Sequence, residues 1–254
     1  MTPPDDPAPL ARFTLGDGRR VAYRHLAGAA PTIVFLPGYR SDMRGSKALA
    51  VLDWAAARGA GCLLFDYSGC GQSDGDFAQG TLSRWRDELV ALIEHCALTQ
   101  VVLVGSSMGG WLMLLVAELL GDRVAALVGI AAAPDFTDWG LDPAASARLA
   151  AGQVVLQDNP YGPEPTPTYP AFWADAQAHL RLDQRIGFAG PVRLLHGQAD
   201  ADVPWEIALR LGTALCSADV QTLLIKDGDH RLSRRADIAL LLAMLAQLLQ
   251  ELPE

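Results

Sequence analysis

One serine in this sequence stands where a hydroxyl can become a nucleophile. In Val101-Val102-Leu103-Val104-Gly105-Ser106-Ser107-Met108-Gly109-Gly110-Trp111 an apolar run leads into Gly-x-Ser-x-Gly, and Leu112, Leu115, Val116 and Leu119 continue it at helical spacing. A buried strand joined to a helix by so few residues must turn sharply, which presents Ser107 at the carboxyl edge of a sheet. Small residues are needed around such a strained turn, because a Cβ at Gly105 or Gly109 would meet the neighbouring strand or the start of the helix. The pentapeptide alone also describes a glycine-rich turn with a solvated serine. The strand before it and the helix after it favour the nucleophile.

A serine hydroxyl is a weak nucleophile at neutral pH, so a base must take its proton and a third group must hold that base in the right tautomer. On a strand-turn-helix site of this kind the chain order is serine, then acid, then histidine. Of the five histidines, His25 and His95 precede Ser107, His179 lies in an irregular segment, and His196 ends a strand ahead of the best acid, where turn packing is its expected role. His230, in Gly228-Asp229-His230 after the last strand, follows every candidate acid and is the expected base. The preferred acid is Asp200, in His196-Gly197-Gln198-Ala199-Asp200-Ala201-Asp202-Val203-Pro204, with Asp202 its nearest rival. Asp135, after the preceding strand, is a further one, and either rival also suits a helix cap.

The oxyanion of a tetrahedral intermediate needs backbone N–H donors from the residue after the nucleophile and from the loop after an earlier strand. Those are Met108 and Tyr39, with Gly38 allowing the second donor a close approach. Losing one such donor typically costs on the order of 3 kcal/mol, although the side chains carry no chemistry.

These groups require a scaffold, and the chain supplies one. Its 254 residues, half of them hydrophobic, suit one α/β domain with an insertion. A formal charge of -9 without a basic run speaks against a nucleic-acid partner. Cys62, Cys70, Cys96 and Cys216 are too scattered for a disulfide framework or a zinc site, so reduced thiols in a cytoplasmic setting are expected. Met1 to Leu10 reads as a frayed tail, neither a signal nor a transit peptide.

Phe13-Thr14-Leu15 and Val21-Ala22-Tyr23-Arg24 flank Gly16-Asp17-Gly18, the pattern of an edge hairpin. Thr32 to Leu36, Gly61 to Asp66, Val101 to Val104, Val124 to Ile130, Pro191 to His196 and Val220 to Ile225 read as strands. Most are unbroken apolar runs, as in a parallel sheet covered on both faces. Helical spacing over Lys47 to Arg58, Leu82 to Cys96, the stretch after Ser107, Trp205 to Leu215 and Ile238 to Leu252 completes the alternation. The last helix is too interrupted to span a bilayer, so no transmembrane segment is expected. Asp66-Tyr67-Ser68-Gly69-Cys70-Gly71-Gln72-Ser73 lacks the ending of a phosphate-binding loop and reads as a tight turn near the site.

Between Ala133 and Gly190 the alternation stops, with helical pieces near Pro143 to Gly152 and Ala171 to Leu180. An insertion of this length at about 134–189 suggests a lid. Its aromatics Tyr161, Tyr169, Phe172 and Trp173 either line an acyl pocket or form the lid's own core.

Together these parts resemble the α/β-hydrolase family from Phe13 to Leu252. Phe65 to Gly75, Val104 to Met113, Leu194 to Trp205 and Asp229-His230-Arg231 resemble more narrowly the palmitoyl-protein thioesterase and acyl-glucuronide esterase branch, a mitochondrial abhydrolase-domain type with bacterial relatives. The resemblance implies an α/β-hydrolase fold: a mostly parallel sheet of about eight strands, helices on both faces and a small lid insertion. It puts the triad on Ser107, Asp200 and His230, and implies hydrolysis of acyl esters or thioesters, small or protein-borne, without metal or cofactor. A peptidase or C–C bond hydrolase on the same triad, and a non-catalytic ligand-binding protein, are the competing readings. Oligomeric state is not encoded in any motif.

Overall fold

The computed structural model describes residues 7–159 and 162–252, so Tyr161 and the start of the expected tail, 1–6, lie outside the described residues. An antiparallel hairpin, β1 (Leu10–Thr14) and β2 (Arg20–Leu26), comes first. It is followed by β3 (Ala29–Leu36), α1 (Ser46–Ala56), β4 (Ala60–Phe65), α2 (Leu82–His95), β5 (Val101–Ser106), α3 (Met108–Leu120) and β6 (Val124–Ile130). The next segment holds α4 (Phe136–Trp139), α5 (Pro143–Ala150), the paired strands β7 (Val155–Gln157) and β8 (Thr166–Thr168), and α6 (Pro170–Gln177). The chain closes with β9 (Val192–Gly197), α7 (Glu206–Ala214), β10 (Val220–Ile225) and α8 (Arg235–Glu251).

Eight strands form one sheet in the order β1-β2-β4-β3-β5-β6-β9-β10. β2 runs against both its neighbours, and the remaining pairings from β4 to β10 are parallel. This is the mostly parallel, helix-covered sheet expected from the apolar runs. Because side chains alternate along a strand, each run feeds two cores. Val34, Leu36, Leu63, Phe65 and Leu103 pack with α2, α3 and α7, whereas Ile33, Phe35, Leu64, Val102 and Val104 pack with α1 and α8.

Of these helices α3 is the most enclosed, with 11 of its 13 residues buried. A helix apolar on every side belongs in a core, and each fully buried Leu or Met side chain contributes about 1.5–3 kcal/mol. The consequence for function is positional: the start of α3, directly after Ser107, is anchored by its whole length.

Two expectations are corrected here. The tail reading fails for 7–10: Ala8 is buried, its carbonyl accepts from Arg24 at 3.0 Å, and Leu10 begins β1. In the inserted segment the two helical pieces are present as α5 and α6, but α4 and the β7–β8 pair add to them. Elements of three or four residues are too short to show a period. All four cysteines are free thiols. Among the described residues no helix is long and apolar enough to cross a membrane.

Candidate active site

The turn between β5 and α3 is strained at one residue. Ser107 has φ +54°, a left-handed value that costs a non-glycine residue of order 1–3 kcal/mol and persists only where neighbours fix it. They do so here. The Ser107 N–H donates to the Ile130 carbonyl at 2.9 Å, and its own carbonyl accepts from Gly110 at 2.8 Å and Ala133 at 3.0 Å. The glycines are there for space. A Cβ on Gly105 would stand 2.3 Å from the Gly109 carbonyl oxygen, and one on Gly109 would stand 2.1 Å from that of Leu36.

Loops after β9 and β10 bring the remaining groups to the same sheet edge. His230 Nε2 lies 3.1 Å from Ser107 Oγ, and His230 Nδ1 lies 2.9 Å from Asp200 Oδ2. An ionised carboxylate only accepts, so Nδ1 carries the proton and Nε2 is left to accept from the serine hydroxyl. Residues separated by 123 and 30 positions are thus joined in one relay.

The Asp200 side chain has no exposed surface. Burial alone would raise its pKa, but hydrogen bonds from His196 and His230 and from the Val203 amide outweigh it and hold the carboxyl well below the usual carboxylate range. Its Oδ1 accepts from the amides of Asp202 and Val203, both at 2.9 Å. Asp202, the nearest rival, therefore contributes its backbone to fixing Asp200, while its side chain is exposed. Asp135 is occupied elsewhere, its buried carboxylate accepting from the amides of Arg181 and Leu182 at 2.7–2.9 Å. It stands at the N-cap position of α4, but its carboxylate fastens the inserted segment and makes no cap hydrogen bond.

Among the other histidines, His95 stacks on Phe13 and His179 meets Ser83 Oγ at 2.7 Å. His196 packs the turn after β9, as expected from its position, and also reaches the acid. Fully buried, it sits with Nε2 3.0 Å from the Val203 carbonyl and 3.2 Å from Asp200 Oδ2. Its spacing of four from Asp200, with Gly197 between, is the sequence signal that could have revealed it. Asp200, Asp202 and His230 also offer ligand atoms within 4.8 Å of one another. A cation held there would compete with the bond between His230 and Asp200.

On the other side of Ser107 runs the loop after β3. A Cβ on Gly38 would lie 3.3 Å from both the Ser106 carbonyl oxygen and Ser107 Cβ, so this loop lies against the elbow and Tyr39 follows directly. Met108 opens α3, where the first N–H groups of a helix lack intrahelical partners and carry the positive end of its dipole. Asp66 braces the loop, accepting from the amides of Met43 at 2.7 Å and Gln72 at 2.8 Å. The Tyr39 hydroxyl and Arg40 guanidinium donate to the carbonyls of Pro167 and Pro165, tying the loop to the β8 region.

A cavity of about 740 Å³ opens over Ser107 and His230. Phe136 and Trp139 of α4 form an apolar side, whereas Lys47, Asp202 and Arg231 are among its polar lining. Tyr169, Phe172 and Trp173 are not in the lining, and Phe172 belongs to the core with Tyr169 packed against that core. Of these aromatics Phe172 therefore joins the main core and does not line the cavity over Ser107.

Residues 33–252 match the family described as "Alpha/beta hydrolase family". The mouse protein named "Palmitoyl-protein thioesterase ABHD10, mitochondrial" is 39% identical over 237 residues, covering 91% of this chain and 80% of its own. A crystal structure of a putative hydrolase from Agrobacterium vitis S4 superposes with TM-score 0.90 at 39% identity, covering 96% of this chain and 99% of the other. The structure of mouse alpha/beta hydrolase domain-containing protein 10 gives 0.89 at 36%, with the same coverage. The mitochondrial name of the mouse thioesterase does not speak for the cytoplasmic setting expected from the cysteines.

Proposed function

This chain belongs to the alpha/beta hydrolase family, and on that premise we propose that it hydrolyses carboxylic esters and thioesters by nucleophilic catalysis at Ser107. His230 Nε2 removes the hydroxyl proton as Oγ attacks the acyl carbonyl. Asp200 holds the imidazole in the Nδ1–H tautomer and stabilises the imidazolium that forms. The amides of Tyr39 and Met108 receive the oxyanion of the tetrahedral intermediate. Its collapse breaks the bond to the alkoxide or thiolate, which leaves with the proton from His230. Water then attacks the acyl-serine through the same base, the bond to Oγ breaks, and the free acid departs.

The observation that carries this reading is the continuous relay of 3.1 and 2.9 Å between Ser107, His230 and Asp200. It is supported by the strained serine turn and by a cavity that opens on the hydroxyl. Thioesters join esters as substrates because relatives at 37–39% identity are named palmitoyl-protein thioesterases. In this reading segment 134–189 is a lid on a single domain, and Phe136 and Trp139 are the side chains it offers to an acyl group. The test is turnover of p-nitrophenyl esters and acyl thioesters of graded chain length. Hydrolysis of at least one series, lost in Ser107→Ala, is expected. Cleavage confined to aminoacyl amides, or no turnover at all, would overturn it.

A further inference from the structure

The proposed relay uses one imidazole, yet two meet the same carboxylate. His196 Nε2 faces two groups, the Val203 carbonyl at 3.0 Å and Asp200 Oδ2 at 3.2 Å, and both only accept. The proton must therefore sit on Nε2 and be shared between them. Its Nδ1 is buried with no hydrogen-bond partner. A second proton there would be an unpaired charged donor in the core, a costly arrangement. The ring is thus held in the Nε2–H tautomer, with its one donor facing the Val203 carbonyl and the acid.

From this geometry we propose that His196 is a positioning residue for Asp200, setting how much of the carboxylate's charge His230 receives. The inference rests on the Ser107, His230 and Asp200 reading above. Oδ1 is committed to the amides of Asp202 and Val203, and Oδ2 divides between His230 and His196. Two backbone amides and the His230 N–H bond the carboxylate and the His196 ring stands 3.2 Å from Oδ2, which together hold it against rotation. Withdrawing the His196 donor would leave Oδ2 to His230 alone. The imidazolium would then be stabilised more strongly and protonated at higher pH.

The surroundings support a polar role over simple packing. Asp200 and, across its carboxylate, His230 are the titratable groups His196 faces, with Asp202 and Asp229 on the same two loops. On the sheet its backbone lies opposite Leu224 of β10, an apolar neighbour. Gly197 permits the turn back: a Cβ there would stand 2.1 Å from the Gly228 carbonyl oxygen, so the acid and histidine loops cross with no side chain between them.

Two readouts decide the matter. In the wild-type protein labelled with 15N-histidine, His196 is expected to show the Nε2–H tautomer, and an Nδ1–H tautomer would overturn the proposal. In His196→Leu, the acidic limb of the kcat/KM profile should move up by roughly 0.5–1 pH unit. The same variant should lose about tenfold in kcat at neutral pH, because a carboxylate freed to rotate no longer holds the His230 ring toward Ser107 Oγ, with KM little changed. His196→Gln, which restores a donor, should recover part of both. Variants that melt earlier while the limb stays fixed would assign His196 a merely structural part. The tautomer measurement needs neither variant to fold and no turnover, so its failure is distinct from a failure of Ser107 to act as the nucleophile.

Discussion

The Lys47 ammonium donates a hydrogen bond to the carbonyl of Arg231, one residue beyond His230, and so ties α1 to the loop that carries the imidazole. Burial first, and the nearby Arg231 charge second, bring the Lys47 pKa down from 10.5 to about 8. Between those values the unfolded chain holds a proton that the folded chain has released, so stability gained from this residue rises with pH across the window. Melting temperatures of wild type and Lys47→Met, compared from pH 7 to 10.5, should diverge in favour of wild type as pH rises above 8. A constant difference would contradict the linkage.

Gly38 and Gly109 separate crowding of the nucleophile from disruption of the fold. At Gly38 an added Cβ meets Ser107 Cβ at 3.3 Å, close enough to shift the elbow slightly. Gly38→Ala should lower kcat by about 10- to 100-fold, as small misplacements of reacting groups do, with little change in melting temperature. At Gly109 the same addition meets the Leu36 and Pro37 carbonyl oxygens at 2.1 and 2.6 Å, so backbone must move. Gly109→Ala should cost about 3 kcal/mol in denaturant titration.

Replacing Asp200 by Asn keeps its size but removes the charge that fixes the His230 tautomer. The expected loss in kcat is about 10⁴-fold, the scale known for this exchange in other Ser-His-Asp triads. Asp202→Asn should stay close to wild type, since the Asp202 backbone amide, not its side chain, bonds Asp200. A reversal of these two results in steady-state kinetics would move the acid to position 202.

Asp135 offers a test of how the inserted segment is held. Asp135→Ala leaves the amides of Arg181 and Leu182 without their acceptor, at an expected cost of about 1–3 kcal/mol for each such buried group. Hydrogen exchange should quicken first at Arg181 and Leu182. Unchanged protection there would show that this carboxylate does not fasten the segment.

What could be read from the sequence divides along physical lines. β5, the elbow and α3 were legible because a fully buried strand and a fully buried helix both appear as apolar runs, and the glycines between them mark close backbone contacts. His230 followed from chain order, whereas Asp200 was preferred to Asp202 and Asp135 for its place in the loop after the penultimate strand. The part of His196 was not legible, since it depends on a turn at Gly197 that folds the chain back onto Asp200, a tertiary fact. The inserted segment was hardest. Its cavity-facing aromatics Phe136 and Trp139 sit on a four-residue helix with no period to read, whereas the more conspicuous Phe172 is buried in the core.

The central claim is that the Ser107 hydroxyl, activated by His230, attacks carbon or phosphorus electrophiles. Covalent labelling by a fluorophosphonate, followed by peptide mapping, tests it most directly. The account predicts a single adduct on the peptide containing Ser107, absent in Ser107→Ala and formed at least about 100-fold more slowly in His230→Ala. Labelling that persists in Ser107→Ala, or that proceeds at the wild-type rate without His230, would contradict it.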